Sequence, residues 1–281
     1  MSDDLSSWIG RSREVRDELT APAMRRLAAT LDREPPDLSA GAPVPPHWIA
    51  VLFDDAAPQS RLGPDGHPLK GDFLPPVPLP RRMLAGRRLT FHEPPRVGDA
   101  LLRRSEIVAI TPKEGRSGKL VFVTVRHITS GPRGVVAVED HDTSYREAAG
   151  GAAPAAKGAE PGPEVAWTVP FRPDPVLLFR YSALGFNGHR IHYDADYART
   201  EEGYRALVVN GGLTTLMLLE AALAQGGGAL RGYSARTMTP LFVGDEAALH
   251  GTARDAAGKA TIWATAPSGA TALRIEAEFG A

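Results

Sequence analysis

One stretch limits the fold more than any other: Gly211-Gly212-Leu213-Thr214-Thr215-Leu216-Met217-Leu218-Leu219-Glu220-Ala221-Ala222-Leu223-Ala224. At helical period it is apolar nearly all round, so a helix here has no face to offer water and must be enclosed by the rest of the chain. The glycine pair at its start bears no side chains. Backbone N–H groups at the positive end of the helix dipole can therefore come within hydrogen-bond distance of a ligand oxygen. Gly211 and Gly212 are accordingly predicted to form a backbone oxyanion hole, with a simple tight turn into the helix as the plainer alternative.

Just upstream, Phe186-Asn187-Gly188-His189-Arg190-Ile191-His192-Tyr193-Asp194 crowds two histidines, an amide, an arginine and a carboxylate between apolar residues. An unperturbed histidine titrates near neutrality, so His192 is the candidate general base or acid; Asn187 is the candidate to hold a water or orient the imidazole. Asp194-Ala195-Asp196-Tyr197-Ala198 reads as the capped first turn of a short helix ending near Gly203, which makes Asp194 an N-cap rather than an acid.

These residues resemble the MaoC-like hydratases and dehydratases of enoyl thioesters, in the branch that includes mesaconyl-C4-CoA hydratase, itaconyl-CoA hydratase and the type 2 hydroxyacyl-thioester dehydratases. In better-known members of that family the motif runs Asp, any residue, Asn, Pro, an aliphatic residue and His, with Asp and His as the catalytic pair. Here Asn187 stands at the Asp position, His189 at the Asn position and Arg190 at the Pro position, while His192 keeps the His position. An amide cannot take up a proton as a carboxylate does, so the Asp/His division of labour does not carry over whole. The resemblance implies catalytic roles for His192 and Asn187, oxyanion amides at Gly211 and Gly212, and substrate-binding roles for Arg190, His189 and Asn210. It implies no metal and no cofactor, the CoA thioester being substrate.

Composition excludes several classes. The chain has 281 residues, 43% of them hydrophobic, a formal net charge of −1 and no cysteine. Neutral balance without a run of interleaved basic and aromatic residues argues against nucleic acid as partner. Absent cysteine removes disulfides, a thiolate nucleophile and a Cys zinc site. The acidic start, Met1-Ser2-Asp3-Asp4-Leu5, lacks an apolar core, and no segment approaches about 18 apolar residues, so the expectation is a cytoplasmic protein that does not meet a membrane.

Two units are expected. Residues 6–32 read as helix-rich, with Pro22 at a helix start and Met24, Leu27, Ala28 and Leu31 at helical spacing. Dense prolines from Glu34 to Pro80 frame one short strand or buried segment, Trp48-Ile49-Ala50-Val51-Leu52-Phe53, and read equally as lid or as surface wrapping. Strands follow at residues 87–92, 99–110, 119–128 and 135–145. Residues 148–165, rich in Ala, Gly and Pro, read as a linker. Beyond it, strands are expected at residues 166–169, 177–180, 235–238, 247–253, 260–265 and 272–278. Helix then antiparallel meander, twice over, is an α+β plan. The resemblance makes it a double hot-dog, two tandem units of antiparallel sheet each wrapped around a central helix: a degenerate N-terminal domain over residues 1–147 and a catalytic domain over 166–281. His47, His67, His92, His127 and His141 are scattered singly and read as structural or surface histidines.

The chemistry expected is reversible hydration of an enoyl thioester. Amides at Gly211 and Gly212 hold the thioester oxygen, and His192 takes a proton from water and also returns one to the α-carbon. A guanidinium at Arg190 would suit a substrate carboxylate, as in a C4-dicarboxylic acyl group such as mesaconyl or itaconyl, whose hydration gives citramalyl-CoA; a salt bridge from Arg190 to Asp194 or Asp196 is the structural alternative. Two other readings stay open: a 3-hydroxyacyl-thioester dehydratase of fatty-acid metabolism, and a non-catalytic acyl-thioester-binding partner subunit. Thioester hydrolysis is disfavoured because no carboxylate near the cluster replaces the missing Asp. CoA or an acyl carrier is the expected thioester partner, and a homodimer the expected assembly.

Overall fold

The computed structural model describes residues 5–115, 118–147, 163–226 and 228–280. The linker expected at residues 148–165 lies mostly outside them. Among the described residues the strands are β1 (Ser12–Glu18), β2 (Arg81–Phe91), β3 (Ala100–Gly115), β4 (Gly118–Gly131), β5 (Gly134–Arg146), β6 (Trp167–Phe171), β7 (Leu230–Thr237), β8 (Ala247–Gly251), β9 (Lys259–Thr265) and β10 (Thr271–Phe279). The helices are α1 (Ala21–Thr30), α2 (Pro175–Leu184), α3 (Ala195–Thr200) and α4 (Gly211–Ala224).

The strands join one sheet of ten in the order β1-β3-β4-β5-β2-β7-β10-β9-β8-β6, antiparallel at every junction. Five strands come from each half of the chain. Their seam is β2 against β7, Gly86 opposite Arg236 through Thr90 opposite Gly232. The backbones approach closely there: a Cβ on Gly86 would stand 2.9 Å from the Ala235 carbonyl oxygen. α4 packs on β7 to β10 and α1 on α2, and the buried side chains of α1 and α4 share one hydrophobic core. That is the double hot-dog plan.

α4 is buried as its composition demands. Leu213, Leu216, Leu218 and Leu219 are at most 1% exposed, each burial worth roughly 1.5–3 kcal/mol. Its one carboxylate, Glu220, is satisfied from the other half. Glu220 Oε1 accepts from Trp48 Nε1 (2.7 Å) and meets His47 Nε2 at 2.8 Å, and Oε2 lies 3.5 Å from Arg33 Nε. Burial alone would raise the Glu220 pKa; the His47 and Trp48 bonds and the Arg33 charge outweigh it and hold it low.

Several sequence expectations are corrected. Residues 12–18 are an edge strand rather than helix: non-local pairing with β3, Val15 opposite Arg103, decides their conformation, and exposure alternates along them. Residues 177–180 are helical, inside α2, because Asp174 caps it by accepting from Leu177 N (2.8 Å) and Pro175 sits in its first turn. Of the two readings of Trp48–Phe53, strand or buried segment, the second holds: residues 46–51 form a buried 3-10 turn. The strand expected at 235–238 begins at Leu230, and that at 87–92 begins at Arg81.

Candidate active site

The motif begins where α2 ends. Phe186 turns the chain with a left-handed φ of 46°, and Asn187 N donates to Ser182 O (2.8 Å). Asn187 Oδ1 accepts from His189 N (3.0 Å), so half of this amide fixes the loop, while Nδ2 has no partner among the described residues. Val208, rather than Asn187, orients the imidazole of His192. The His192 Nδ1 lies 2.7 Å from Val208 O, and a carbonyl only accepts, so Nδ1 carries the hydrogen and Nε2 the lone pair. Burial pushes the His192 pKa down to about 3; the Val208 bond opposes this and neighbouring His189 reinforces it. The ring is neutral through the physiological range.

Asn210 caps α4 through its backbone only. Its Nδ2 donates to Ser182 Oγ (3.3 Å), while its buried Oδ1 has no partner among the described residues, an acceptor open to a water or a ligand N–H. The amides of Gly211, Gly212 and Leu213 precede the first bond of the helix, Thr214 N to Asn210 O (3.0 Å). Over them stands Tyr181: a Cβ on Gly212 would collide with its hydroxyl. Burial raises the Tyr181 pKa, so that hydroxyl stays a donor. Helix amides, a phenol and an amide oxygen thus meet at one helix end.

The N-terminal half docks onto the motif through residues 63–68. Arg190 N donates to Asp65 O (2.9 Å), and Arg190 Nη1 to Pro64 O (3.0 Å). Gly66, at φ 85°, packs so tightly on Gly188 that a Cβ would collide with the Gly188 carbonyl oxygen. The rest of the Arg190 guanidinium binds Asp194 Oδ2 (2.7 and 3.1 Å) and lies 4.1 Å over the Tyr197 ring. Arg190 is therefore employed in holding the loop and Asp194, the structural alternative for that residue. Asp194 also caps α3, its Oδ1 accepting from Tyr197 N (2.9 Å).

This docking brings His67 beside the motif. Its ring meets that of His189 at 4.1 Å between centroids, and His189 meets His192 edge-on at 5.4 Å. His67 Nδ1 lies 2.9 Å from Asp65 Oδ2 and His67 N donates to Asp65 Oδ1 (3.0 Å). His189 Nε2 lies 3.8 Å from Glu202, which also pairs with Arg81 (3.2 Å). Ligand atoms of Asp65, His67 and His189 fall within 4.8 Å of one another, a spacing open to a metal ion, although Arg82 Nε, 3.8 Å from Asp65, sets a positive charge against one.

A cavity of about 1370 Å³ lies between the two halves, lined by Ser182 and Asn187 from one and His67, Arg87, Arg103 and His127 from the other. His192 sits behind this lining, in series with His189 and His67. On the sheet face, Glu139 stands opposite His127, and His141 opposite Arg87. Arg87 pairs with Glu139 (2.8 Å); burial opposes ionisation of Glu139, but the Arg87 charge outweighs it and keeps the carboxylate ionised. Burial likewise presses His127 to a pKa of about 3 and raises Asp54, also on the cavity wall, to about 7. Among the described residues Arg103 has no carboxylate within 4.0 Å. Its Nε reaches Thr129 Oγ1 at 3.4 Å and its guanidinium lies 4.2 Å over Phe53.

Residues 47–243 match the family described as hydroxyacyl-thioester dehydratase type 2. The chain belongs to that family. Within and around it, the chain is 43% identical to the mesaconyl-C(4)-CoA hydratase of Chloroflexus aurantiacus over 280 residues, covering 99% of both proteins. It is 28% identical to the mitochondrial hydroxyacyl-thioester dehydratase type 2 of Schizosaccharomyces pombe over 225 residues, 70% of this chain and 74% of the other. A Mycobacterium tuberculosis protein described as having a double hotdog fold superposes with a TM-score of 0.57 at 18% identity, over 98% of this chain and 96% of that one. Membership makes the chain a hydro-lyase acting on acyl thioesters.

The structure sets His192 against Val208 O and Asn210 against Ser182 just ahead of α4, with Asn187 bonded to Ser182 O and His189 edge-on to His192. The structure also brings Tyr181, Asp65 and His67 to the motif, which the sequence reading did not anticipate; that reading found no carboxylate in the place of the missing Asp. The available signal was the turn Gly63-Pro64-Asp65-Gly66-His67-Pro68, where an acid and a histidine share one tight loop.

Proposed function

We propose that the chain hydrates a short dicarboxylic enoyl-CoA, adding water to mesaconyl-C4-CoA to give citramalyl-CoA. The observation that carries this reading is end-to-end identity of 43% to a mesaconyl-C(4)-CoA hydratase. In this reading the thioester oxygen takes the amides of Gly211 and Gly212, with the Tyr181 hydroxyl beside them, and the β-carbon becomes electrophilic as charge moves to that oxygen. Water, held at Asn187 Nδ2 and Asn210 Oδ1, attacks the β-carbon while its proton passes to His192 Nε2. Burial is what sets the His192 pKa near 3; the enolate charge developing beside the ring makes its protonation favourable at the moment of reaction. The substrate carboxylate falls to Arg103 rather than Arg190, since Arg190 is already paired. Cytoplasmic location and homodimer assembly complete the proposal; among the described residues no helix is long and apolar enough to cross a membrane.

Turnover of mesaconyl-C4-CoA, itaconyl-CoA and crotonyl-CoA, read by mass spectrometry, tests it. Water addition confined to dicarboxylic esters is expected, with His192→Ala lowering kcat by several orders of magnitude and Arg103→Met selectively damaging the dicarboxylic reaction. Equal turnover of crotonyl-CoA would reject the substrate class.

A further inference from the structure

A hydration needs a proton delivered to the α-carbon as well as one removed from water. In this motif the position of the second titratable group holds an amide, Asn187, whose Oδ1 is spent on His189 N. The other half of the chain brings an imidazole to the same cavity wall, against His189. Asp65 accepts from both the backbone N and, across 2.9 Å, the ring Nδ1 of His67, so the carboxylate fixes the ring orientation and leaves Nε2 as the free position. His67 lines the cavity together with Asn187. Four contacts tie its loop to the motif itself: Arg190 N to Asp65 O, Arg190 Nη1 to Pro64 O, Gly66 against Gly188, and the His67 ring against His189. Two of the three residues that depart from the related motif, His189 and Arg190, are among those that hold this loop.

We propose that His67, oriented by Asp65, is the second proton-transfer residue of the site, supplied across the domain seam in place of a motif carboxylate. The proposal rests on the hydratase reading above. As water forms its bond to the β-carbon, His192 Nε2 takes the water proton and the π electrons move onto the thioester as an enolate. His67, entering as imidazolium, gives its Nε2 proton to the α-carbon; the enolate pair becomes the new C–H bond and the carbonyl reforms. His192 then releases its proton to solvent and His67 regains one, so the sum is one water added. Asp65 is a positioning residue that also stabilises the imidazolium.

The test compares wild type, His67→Gln and Asp65→Asn for hydration of mesaconyl-C4-CoA across pH, and for solvent deuterium entering the α-carbon of citramalyl-CoA. Binding of succinyl-CoA, which cannot react, serves as the control for the pocket. Expected is a kcat loss of about 10²–10⁴-fold in His67→Gln with α-deuteration falling in parallel, and succinyl-CoA affinity within about threefold. Asp65→Asn should retain part of the activity and shift the pH profile. A His67→Gln enzyme with kcat within about threefold of wild type overturns the proposal alone. So does weakened succinyl-CoA binding with kcat preserved, or chelator-sensitive activity with one bound zinc, which would make Nε2 a ligand. Wild type inert on every enoyl thioester overturns the hydratase reading and this proposal with it.

Discussion

Two adjacent glycines at the head of α4 should respond differently to the same methyl group. At Gly211 a Cβ would stand 3.4 Å from Leu84 Cδ2, a contact a flexible side chain accommodates. At Gly212 it collides with Tyr181 Oη and comes within 3.3 Å of Cζ, so the ring must leave its place over the helix end. Alanine is intrinsically the better helix former by about 1 kcal/mol. Gly211→Ala should therefore be neutral or slightly stabilising, while in Gly212→Ala that gain is offset by about 1–3 kcal/mol of repacking around Tyr181. Activity separates them further. Losing one well-placed donor to a developing oxyanion costs about 10²–10³-fold in kcat, so Gly212→Ala should lose that much and Gly211→Ala no more than a few-fold. Urea unfolding and steady-state hydration kinetics on the same preparations read both quantities. Unchanged kcat in both variants would remove the helix end from the chemistry; equal losses in both would refute the argument built on Tyr181.

Acid should weaken the fold through buried imidazoles. The pKa values of His192 and His127 lie near 3, against about 6.5 in an unfolded chain, so between those values the unfolded state binds more protons. Their stability contribution is complete above about pH 6.5 and lost as pH falls toward 3, about 2 kcal/mol each at pH 5. Asp54, raised to about 7, acts with the opposite sign. Urea unfolding at pH 7 and pH 5 should show the drop, and His127→Gln should shrink it by about 2 kcal/mol; an unaltered pH dependence would contradict the burial argument. Glu220→Ala strands two buried donors, His47 Nε2 and Trp48 Nε1, and should cost about 3–5 kcal/mol, while Glu220→Gln keeps an acceptor and should cost far less. Denaturant midpoints check this, and an alanine cost under about 1 kcal/mol would show the cluster to be slack.

The parts legible in the sequence were those where local pattern and tertiary fate agree. α4 could be nothing but an enclosed helix, and the long β-branched runs of β3 to β5 found their sheet. β1 was misread because its charged alternation carries little apolar signal and its conformation comes from β3, far along the chain. The helix at Pro175 was misread because Leu177-Leu178-Phe179 looks like strand core, yet an Asp-Pro start stood just before it. At the site, the roles suggested by His192 and the glycine pair depended on residues close in sequence. For Arg190 the Asp194 partner, four residues on, was legible, whereas Pro64 appears only once residues 63–68 fold back over the motif. The placement of His67 was unreadable for the same reason: its turn pairs it with Asp65, but nothing there announces His189, more than a hundred positions away.

The seam between β2 and β7 carries an evolutionary consequence. Two identical subunits meeting edge to edge would have to accept every substitution twice, once on each side of their axis. Joining the partners in one polypeptide releases that constraint. One half can then present Arg87, Arg103, His127 and Glu139 to the cavity while the other presents Ser182 and Asn187. Asymmetry of this kind lets a single pocket be shaped for a lopsided guest, charged at one end and tethered to a long carrier at the other, without a mirror image to maintain.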